Sequence, residues 1–226
     1  MPKFDVIVFD FDGTLVDSAP GIILSLSELL KVMGREPLTE EQLRPCVGPP
    51  ILHFFPDYLG FHGEELDKAL TTYREIFKQT ALDILRPFSG VVELLRDIQR
   101  AGMRTAIATC KTQTACEEQS ESLGLRPYIN YIKGVDPAIN LMEKADILRA
   151  LMKEQGFGPD QAVMVGDRMF DLCAAKEVGM ASIGVLYGGC GSVEEMTPYE
   201  PMHIVDSVEQ LREVLLGEGG LAESAV

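Results

Sequence analysis

Residues 6–14 read Val-Ile-Val-Phe-Asp-Phe-Asp-Gly-Thr, a segment that joins a strand pattern to acidic residues. Its first four residues form a short, continuous apolar run rich in β-branched side chains, the pattern of a strand that is buried on both faces. Acidic residues follow at once, beginning with Asp10. Because ligands of open parallel sheets bind just beyond the carboxyl ends of the strands, the sequence predicts a functional site here.

Similar apolar runs recur along the chain, and each is predicted to form a strand: residues 105–109, 162–165, 181–185 and, more weakly, 203–205. Helical patterns separate these runs. Strands that alternate with helices are typical of an α/β fold. The sequence therefore predicts a doubly wound parallel sheet with helices on both faces.

Three helices of this core have recognisable ends. Ser89 is predicted to cap the first, and an amphipathic pattern predicts the second over 145–155. Ser207 and Gln210 are predicted to form a capping box for the last helix, which stops at Gly217. Beyond that glycine, the chain is predicted to fray.

The segment between the first strand and the Arg86-Pro87 boundary breaks the alternation. It shows no convincing strand pattern, and helices are predicted over 21–33, 39–43 and 64–79. We therefore predict that residues 16–86 form a helical cap inserted into the first strand-to-helix connection. Residues 1–15 and 87–226 then form the Rossmann-like catalytic core.

The composition argues against several classes of function. The 226 residues carry a net charge of −15, which disfavours nucleic acid and anionic membranes as partners. No apolar run approaches the ~20 residues of a membrane span, and the N-terminal residues do not resemble a signal peptide, so we expect a cytoplasmic protein. Five cysteines without a Cys-x-x-Cys pair, and only three histidines, argue against a zinc site.

Asp10 and Asp12 are candidates for a metal and catalytic site. If the extended backbone persists past the strand, both carboxylates project to the same side, where they repel each other unless a cation lies between them. An oxygen-rich site of this kind suits Mg²⁺, which bridges to substrate phosphate. Gly13 then permits close backbone approach. The alternative is a simple turn, which Asp and Gly also favour.

A second acidic pair follows another predicted strand. Gly166-Asp167 ends that strand, and Asp171 lies four residues beyond Asp167, a spacing that places both carboxylates on one helix face if both are helical. Both could then point toward the same metal. Alternatively, Asp167 caps the helix that follows.

Cationic and hydroxyl groups complete the set of candidates. Thr109-Cys110-Lys111 ends a predicted strand and offers a hydroxyl, backbone N–H groups and an ammonium, although a helix start at Thr112 explains the same residues. Lys144 lies in the first turn of a helix, where a cation opposes the helix dipole. Beside a phosphate it would neutralise charge. Its alternative is a solvated surface lysine.

Together these residues resemble the haloacid dehalogenase superfamily, and in particular its phosphatases with a helical cap. The resemblance rests on four strand-end motifs in order: Asp10-x-Asp12-Gly13-Thr14, Thr109, Lys144 and Gly166-Asp167-x-x-x-Asp171. It covers the chain to about Gly217. Gly48-Pro49-Pro50 and the Ile183–Gly189 segment look like the phosphoglycolate-phosphatase-like branch.

The resemblance implies a role for each residue. Asp10 would be the nucleophile, and Asp12 would be the general acid and base. Mg²⁺ would be bound by Asp10, by the Asp12 backbone carbonyl and by Asp167, with Asp171 acting mainly through a metal-bound water. Thr109, the Cys110 N–H and Lys144 would hold the phosphoryl oxygens.

One position departs from the family pattern. Cys110 stands where serine or asparagine is usual, and a thiol beside the site suggests the hypothesis that activity is sensitive to oxidation. The chemistry requires only the backbone N–H at this position.

The implied function is a Mg²⁺-dependent phosphomonoester hydrolase acting on a small phosphorylated metabolite. Phosphoglycolate and nucleoside monophosphates rank first, without residues that choose between them. Arg44, His53, Arg74 and Lys78 are polar candidates in the cap. The alternatives are a phosphomutase of the same superfamily and a non-catalytic phosphate-binding regulatory module. A monomer suffices for such a site, and a dimer is compatible with it.

Overall fold

The computed structural model describes residues 4–217, and a six-stranded sheet forms its centre. The strands of this sheet are β1 (Val6–Phe9), β4 (Arg104–Thr112), β5 (Tyr131–Val135), β6 (Ala162–Gly166), β7 (Ala181–Val185) and β8 (His203–Val205). Their order is β5-β4-β1-β6-β7-β8, and every pairing is parallel. The predicted α/β fold with a doubly wound sheet is confirmed.

β1 lies at the centre of the sheet, between β4 and β6. Its residues are fully buried, as the continuous apolar run predicts. The chain builds the sheet in one direction from β1 through β4 and β5, and then in the other direction through β6, β7 and β8. The carboxyl end of β1 is therefore the topological switch point, where open α/β sheets bind their ligands.

Ten α-helices occur within the described residues. They are α1 (Ala19–Val32), α2 (Glu40–Leu43), α3 (Ile51–Asp57), α4 (Gly63–Thr80), α5 (Val91–Arg100), α6 (Gln113–Ser122), α7 (Lys144–Gln155), α8 (Met169–Val178), α9 (Val193–Met196) and α10 (Val208–Leu216). Within residues 4–217, no helix has the length and apolar character that crossing a lipid bilayer requires.

The helices cover both faces of the sheet because successive strand residues point to opposite sides. Val6 and Val8 pack in a cluster with apolar residues of α7 and α8. Ile7 and Phe9 pack in the other cluster, with residues of α5 and α10. This arrangement explains why the strands read as unbroken apolar runs rather than alternating ones.

A helical insert, defined here as residues 18–85, contains α1 to α4. Two short strands, β2 (Val16–Asp17) and β3 (Arg86–Pro87), pair antiparallel where the chain leaves and returns. Strand β2 has no recognisable sequence pattern, because two residues are too few to show a period. The division into a core and a cap at residues 16–86 stays a prediction, which this ribbon supports.

Three further details differ from the predictions. Strand β5 was missed, because its Lys133 and Gly134 interrupt the apolar run. Helix α5 begins after Gly90 rather than after Ser89, since Val91 N–H donates to Phe88 O in a turn.

Only one of the two hydrogen bonds of the predicted capping box is present at the start of α10. Ser207 Oγ accepts from Gln210 N–H at 3.2 Å, but Gln210 Oε1 accepts from Asp206 N–H at 2.9 Å and not from Ser207. The predicted fraying beyond Gly217 concerns residues 218–226, which lie outside the described part of the chain.

Candidate active site

Asp10 and Asp12 lie on the turn that follows β1. Asp10 N–H donates to Val165 O at 2.9 Å and extends the pairing of β1 with β6. Gly13 N–H then donates to Val16 O at 2.9 Å and closes the turn. The Asp10 side chain is buried, and that of Asp12 is 14% exposed. The turn thus places both carboxylates at the switch point of the sheet.

Gly13 brings this turn against Asp167 at the end of β6. Its φ of +80° lies in the left-handed region, which glycine adopts without strain. A Cβ at this position would lie 2.2 Å from Asp167 Oδ2. Thr14 Oγ1 also donates to Asp167 Oδ1 at 3.1 Å. The ends of β1 and β6 are therefore in direct contact, and only glycine fits between them.

Lys144 is buried between two carboxylates. Its Nζ lies 2.7 Å from Asp10 Oδ1 and 2.6 Å from Asp171 Oδ1, and it donates to Ala108 O at 3.2 Å. Burial alone would lower the pKa of Lys144, but Asp10 and Asp171 raise it well above its ordinary value. The alternative of a solvated surface lysine is wrong, and the ammonium stays charged within the site.

The structure brings Asp167 and Asp171 together, but not through a shared helix face as predicted. Helix α8 begins at Met169, so Asp167 precedes the helix and the two residues do not share a helix face. Asp171 lies in the first turn, where its Oδ2 accepts from Arg168 N–H at 3.2 Å. The helix is thus capped by Asp171 and not by Asp167. A Cβ on Gly166 would lie 2.3 Å from the Asp171 Cβ, so glycine allows this approach.

Three carboxylates form a cluster that can hold a cation. One oxygen each from Asp10, Asp167 and Asp171 lies within 4.8 Å of the others. Within residues 4–217, no group donates a hydrogen bond to the buried Asp167 Oδ2. A buried acceptor without a donor is costly unless a cation satisfies it. The donor set, all oxygen and anionic, fits a hard divalent cation.

Burial raises the pKa of two of these carboxyl groups. The pKa of Asp10 rises from 3.8 to about 7, because burial outweighs the opposing effect of Lys144 and Asp171 adds repulsion. Burial, followed by repulsion from Asp171 and Asp10, also raises the pKa of Asp167 well above its ordinary value. A divalent cation would reverse this balance by favouring the charged carboxylates.

The end of β4 is irregular where the phosphate-binding candidates lie. Ala108 pairs with Lys133 and Thr112 with Val135, so four residue steps on β4 oppose two on β5. Such a bulge redirects side chains and is common beside active sites. Thr109, within the bulge, lines the same cavity as Asp10.

Lys111 extends from this bulge to the second catalytic candidate. Its Nζ lies 3.2 Å from Asp12 Oδ2 and 5.0 Å from the centroid of the Phe77 ring on α4. The Lys111 side chain is only 12% exposed. Its ammonium is therefore directed at Asp12, a pairing that the sequence did not indicate.

Cys110 has the environment of an unreactive thiol. Burial raises its pKa to about 12, and the attraction of Lys144 only partly offsets this effect. Cys110 is half-buried and lines the cavity, but the thiolate is the form that oxidants attack, so a thiol that stays protonated reacts slowly. The raised pKa argues against the hypothesis of an oxidation-sensitive Cys110, which stays to be tested by experiment.

A cavity of about 820 Å³ opens over the ends of β1 and β4. Asp10, Asp12 and Thr109 lie at its core side. The insert contributes mainly apolar and aromatic residues to its wall, including Ile22, Leu26, Pro49, Phe54, Tyr73 and Phe77. The candidate nucleophile therefore faces a partly open cavity with a largely apolar wall.

Three of the four polar cap candidates line this cavity: His53, Arg74 and Lys78. His53 Nε2 lies 3.0 Å from Glu143 Oε1, which joins the insert to the residue before α7. The fourth candidate, Arg44, pairs with Glu40 at 2.8 Å and lines a separate cavity near the β2–β3 ribbon. Arg44 is therefore a poor candidate for contact with a leaving group.

Two residues support the site without having been predicted. Tyr187 donates from its hydroxyl to Thr14 O at 2.8 Å and holds the turn after β1 from the side of β7. Arg168 donates from Nη1 to Val47 O at 2.5 Å and connects the loop after β6 to the insert. Both contacts join residues far apart in the chain, so no local sequence pattern predicts them.

Comparison with known proteins places these features in a family. The model of the haloacid dehalogenase-like hydrolases matches residues 7–185, which include every candidate site residue. A 5′-nucleotidase of Pseudomonas aeruginosa is 32% identical over 94% of this chain and 96% of its own length. A phosphoglycolate phosphatase of Vibrio vulnificus is 30% identical over 95% of this chain and 97% of its own length.

A solved structure agrees with these relatives. The crystal structure of a predicted phosphatase from Clostridium acetobutylicum is 32% identical and covers 94% of this chain and 98% of its own, with a TM-score of 0.89. The likeness in sequence and in fold therefore extends over the core and the insert together.

Proposed function

The chain belongs to the haloacid dehalogenase-like hydrolase family and is a phosphatase, and on that premise we propose that it hydrolyses nucleoside monophosphates in a Mg²⁺-dependent reaction through phosphorylated Asp10. The observation that carries this proposal is the position of Asp10. Its carboxylate lies at the switch point of the sheet, beside the Lys144 ammonium, and lines the main cavity.

Two displacements make up the proposed reaction. An Asp10 oxygen forms a bond to phosphorus while the bond from phosphorus to the leaving oxygen breaks, and Asp12 donates a proton to that oxygen. Asp12 then takes a proton from a water whose oxygen attacks phosphorus, and the bond to Asp10 breaks. The ion pair between Asp12 and Lys111, at 3.2 Å, keeps the Asp12 carboxyl on the cavity side.

The remaining residues would position charge. Mg²⁺ would be held by Asp10, the Asp12 carbonyl and Asp167. When bound, it would neutralise phosphate charge. Thr109, the Cys110 N–H and Lys144 would bind the phosphoryl oxygens. Asp171 orients Lys144 through the 2.6 Å ion pair and would contact the cation mainly through water. Most of the rate gain would come from such positioning and charge stabilisation.

The size of the main cavity favours a nucleoside over phosphoglycolate. Its volume of about 820 Å³ falls within the range of ~300–1,000 Å³ typical of sites for drug-sized ligands. Phosphoglycolate, with a two-carbon leaving group, would leave most of that space to water. Phe54, Tyr73 and Phe77 line the wall and supply aromatic surface against which a flat base can pack.

The proposal is tested by phosphate release from a panel of nucleoside monophosphates, phosphoglycolate and sugar phosphates, with Mg²⁺ or with chelator. We expect kcat/KM for the best nucleotide to exceed that for phosphoglycolate by at least ~10-fold. A preference for phosphoglycolate would refute the assigned substrate class. Phosphoryl shuttling between sugar hydroxyls without net phosphate release would instead indicate a mutase.

One substitution tests whether the size of the cavity selects the substrate. Leu52 lines the cavity and is half-buried, so Leu52→Trp should fill space and lower turnover of nucleotides more than turnover of phosphoglycolate. The exposed Val193 outside the cavity provides the matched control, Val193→Trp. Equal losses for both substrates in Leu52→Trp would contradict the assigned use of the cavity.

A further inference from the structure

Arg168 follows the candidate metal ligand Asp167, yet its side chain reaches the insert. Only 8% of Arg168 is exposed. Its Nη1 donates to Val47 O at 2.5 Å and, more weakly, to Pro45 O at 3.5 Å. These contacts join the loop of the carboxylate cluster to residues 44–50, which we call the insert loop.

Glu195 fixes the direction of the guanidinium. Its Oε1 accepts from Arg168 Nε at 2.9 Å and from Met169 N–H at 3.1 Å. Hydrogen bonds between charged groups are shorter and stronger than those between neutral groups. Glu195, on α9, therefore ties Arg168 to the core so that its remaining donors point at the insert loop.

Gly48 lets the insert loop lie directly against the Arg168 side chain. Its φ is +100°, and a Cβ at this position would lie 2.7 Å from Arg168 Cγ. Val47, whose carbonyl accepts the bond, is fully buried. The loop continues into Pro49 and Pro50, which line the main cavity, so its position determines part of the cavity wall.

We propose that Arg168 is a positioning residue that holds the insert loop, and with it the wall of the main cavity, against the catalytic carboxylates. The bonds from Nη1 exist only while the insert rests on the core, so they favour the closed arrangement over an open one. Closure over a phosphatase site excludes water and completes the contacts to the leaving group. The effect on activity rests on the proposed function, whereas the effect on the loop does not.

The first test measures amide hydrogen exchange in peptides that contain the insert loop. In Arg168→Gln, the N–H groups of Val47 and Gly48 should exchange about tenfold faster than in the wild type, because a charged hydrogen-bond network is lost. Peptides from α5 should be unchanged. The matched control is Arg149→Gln, which removes an exposed arginine that pairs with Asp146 and Glu177. Unchanged exchange in the insert loop would overturn the proposal.

A second variant reaches the same contact from the insert. Gly48→Ala leaves Asp167 and Arg168 unchanged but should push the insert loop off Arg168. It should therefore give the same faster exchange even if Arg168→Gln folds poorly. The double variant should add little to either single one, since both break one contact. Full additivity would show that the two residues act separately and would contradict the proposal.

The kinetic test compares KM with kcat for the best nucleotide. Loss of the contact between Arg168 and Val47 should raise KM about tenfold and lower kcat less, because the carboxylates remain in place. Arg168→Lys, which keeps one donor, should recover part of the loss. A tenfold fall of kcat with an unchanged KM would show that Arg168 acts in the chemical step and not on the insert loop. An inactive wild type would refute the proposed function, and the exchange data would still decide the role of Arg168.

Discussion

The Lys144 ammonium lies 2.7 Å from Asp10 Oδ1, and both side chains are 5% exposed. The same ammonium lies 2.6 Å from Asp171, so a single buried cation faces two carboxylates, with Asp167 nearby as a third. With all three carboxyl groups ionised, the cluster would carry more negative charge than Lys144 balances. A divalent cation would balance it, and several measurable properties depend on this charge arrangement.

Removal of the buried ammonium should destabilise the protein strongly. Lys144→Met leaves Asp10 and Asp171 buried without their partner, and loss of one member of a buried ion pair typically costs about 3–5 kcal/mol. We expect a loss of that size in the free energy of unfolding, measured by urea denaturation. Lys153→Met, on the exposed part of the same helix, is the control and should change stability by less than ~0.5 kcal/mol. Similar effects of the two substitutions would contradict the assigned burial.

The stability of metal-free protein should depend on pH through Asp10. Its pKa is about 7 in the folded state and near 3.8 when unperturbed, so the folded state binds the proton more tightly. Unfolding free energy should therefore fall as pH rises between these values, and Asp10→Asn should lack this contribution. Urea unfolding in chelator across this pH window measures the difference between the two proteins. Parallel pH profiles would show that Asp10 does not titrate in this way.

The approach of Gly13 to Asp167 should be essential for activity. Gly13→Ala places a Cβ 2.2 Å from Asp167 Oδ2, so the carboxylate must move, and misplacement by about 1 Å costs on the order of 100-fold in rate. We expect a loss of kcat/KM of that size. Gly34 also has a positive φ, of +66°, but open space around it, so Gly34→Ala controls for backbone strain. Equal losses of activity would mean that strain, and not contact with Asp167, is responsible.

The sequence located the site because buried parallel strands leave a clear signal. Asp10, Thr109 and Asp167 lie at or just after the ends of apolar runs, and neighbouring strands bring these ends together. The edge strand β5 gave no such signal, because Lys133 and Gly134 break its apolar pattern.

Contacts between distant segments were not predictable in this way. The bond from Arg168 to Val47 joins residues 121 positions apart, and that from Tyr187 to Thr14 spans 173. Their existence depends on how the insert and the loops pack after the strands have formed. The spacing of Asp167 and Asp171 also led to a wrong prediction. A shared helix face requires both residues to be helical, but the helix begins only at Met169, two residues after Asp167.

Cys110 should tolerate oxidants. Because burial raises the pKa of its thiol to about 12, the thiolate is scarce at neutral pH, and peroxide should not inactivate the enzyme through this residue. The exposed Cys173 should react first, so the test uses Cys173→Ser as the background. Phosphate release after peroxide treatment should match that of untreated protein. Inactivation that is prevented by Cys110→Ser would reverse this conclusion.

The most direct test of the central claim is to trap the phosphorylated enzyme. Asp12→Ala should accept a phosphoryl group from p-nitrophenyl phosphate, whose leaving group needs little protonation, but should hydrolyse the intermediate slowly. Mass spectrometry after acid quench should show a gain of one phosphoryl group, located on Asp10 and absent when Asp10→Asn is added. Release of nitrophenolate without any phosphorylated protein, or a phosphoryl group on another residue, would contradict the assignment of Asp10 as the nucleophile.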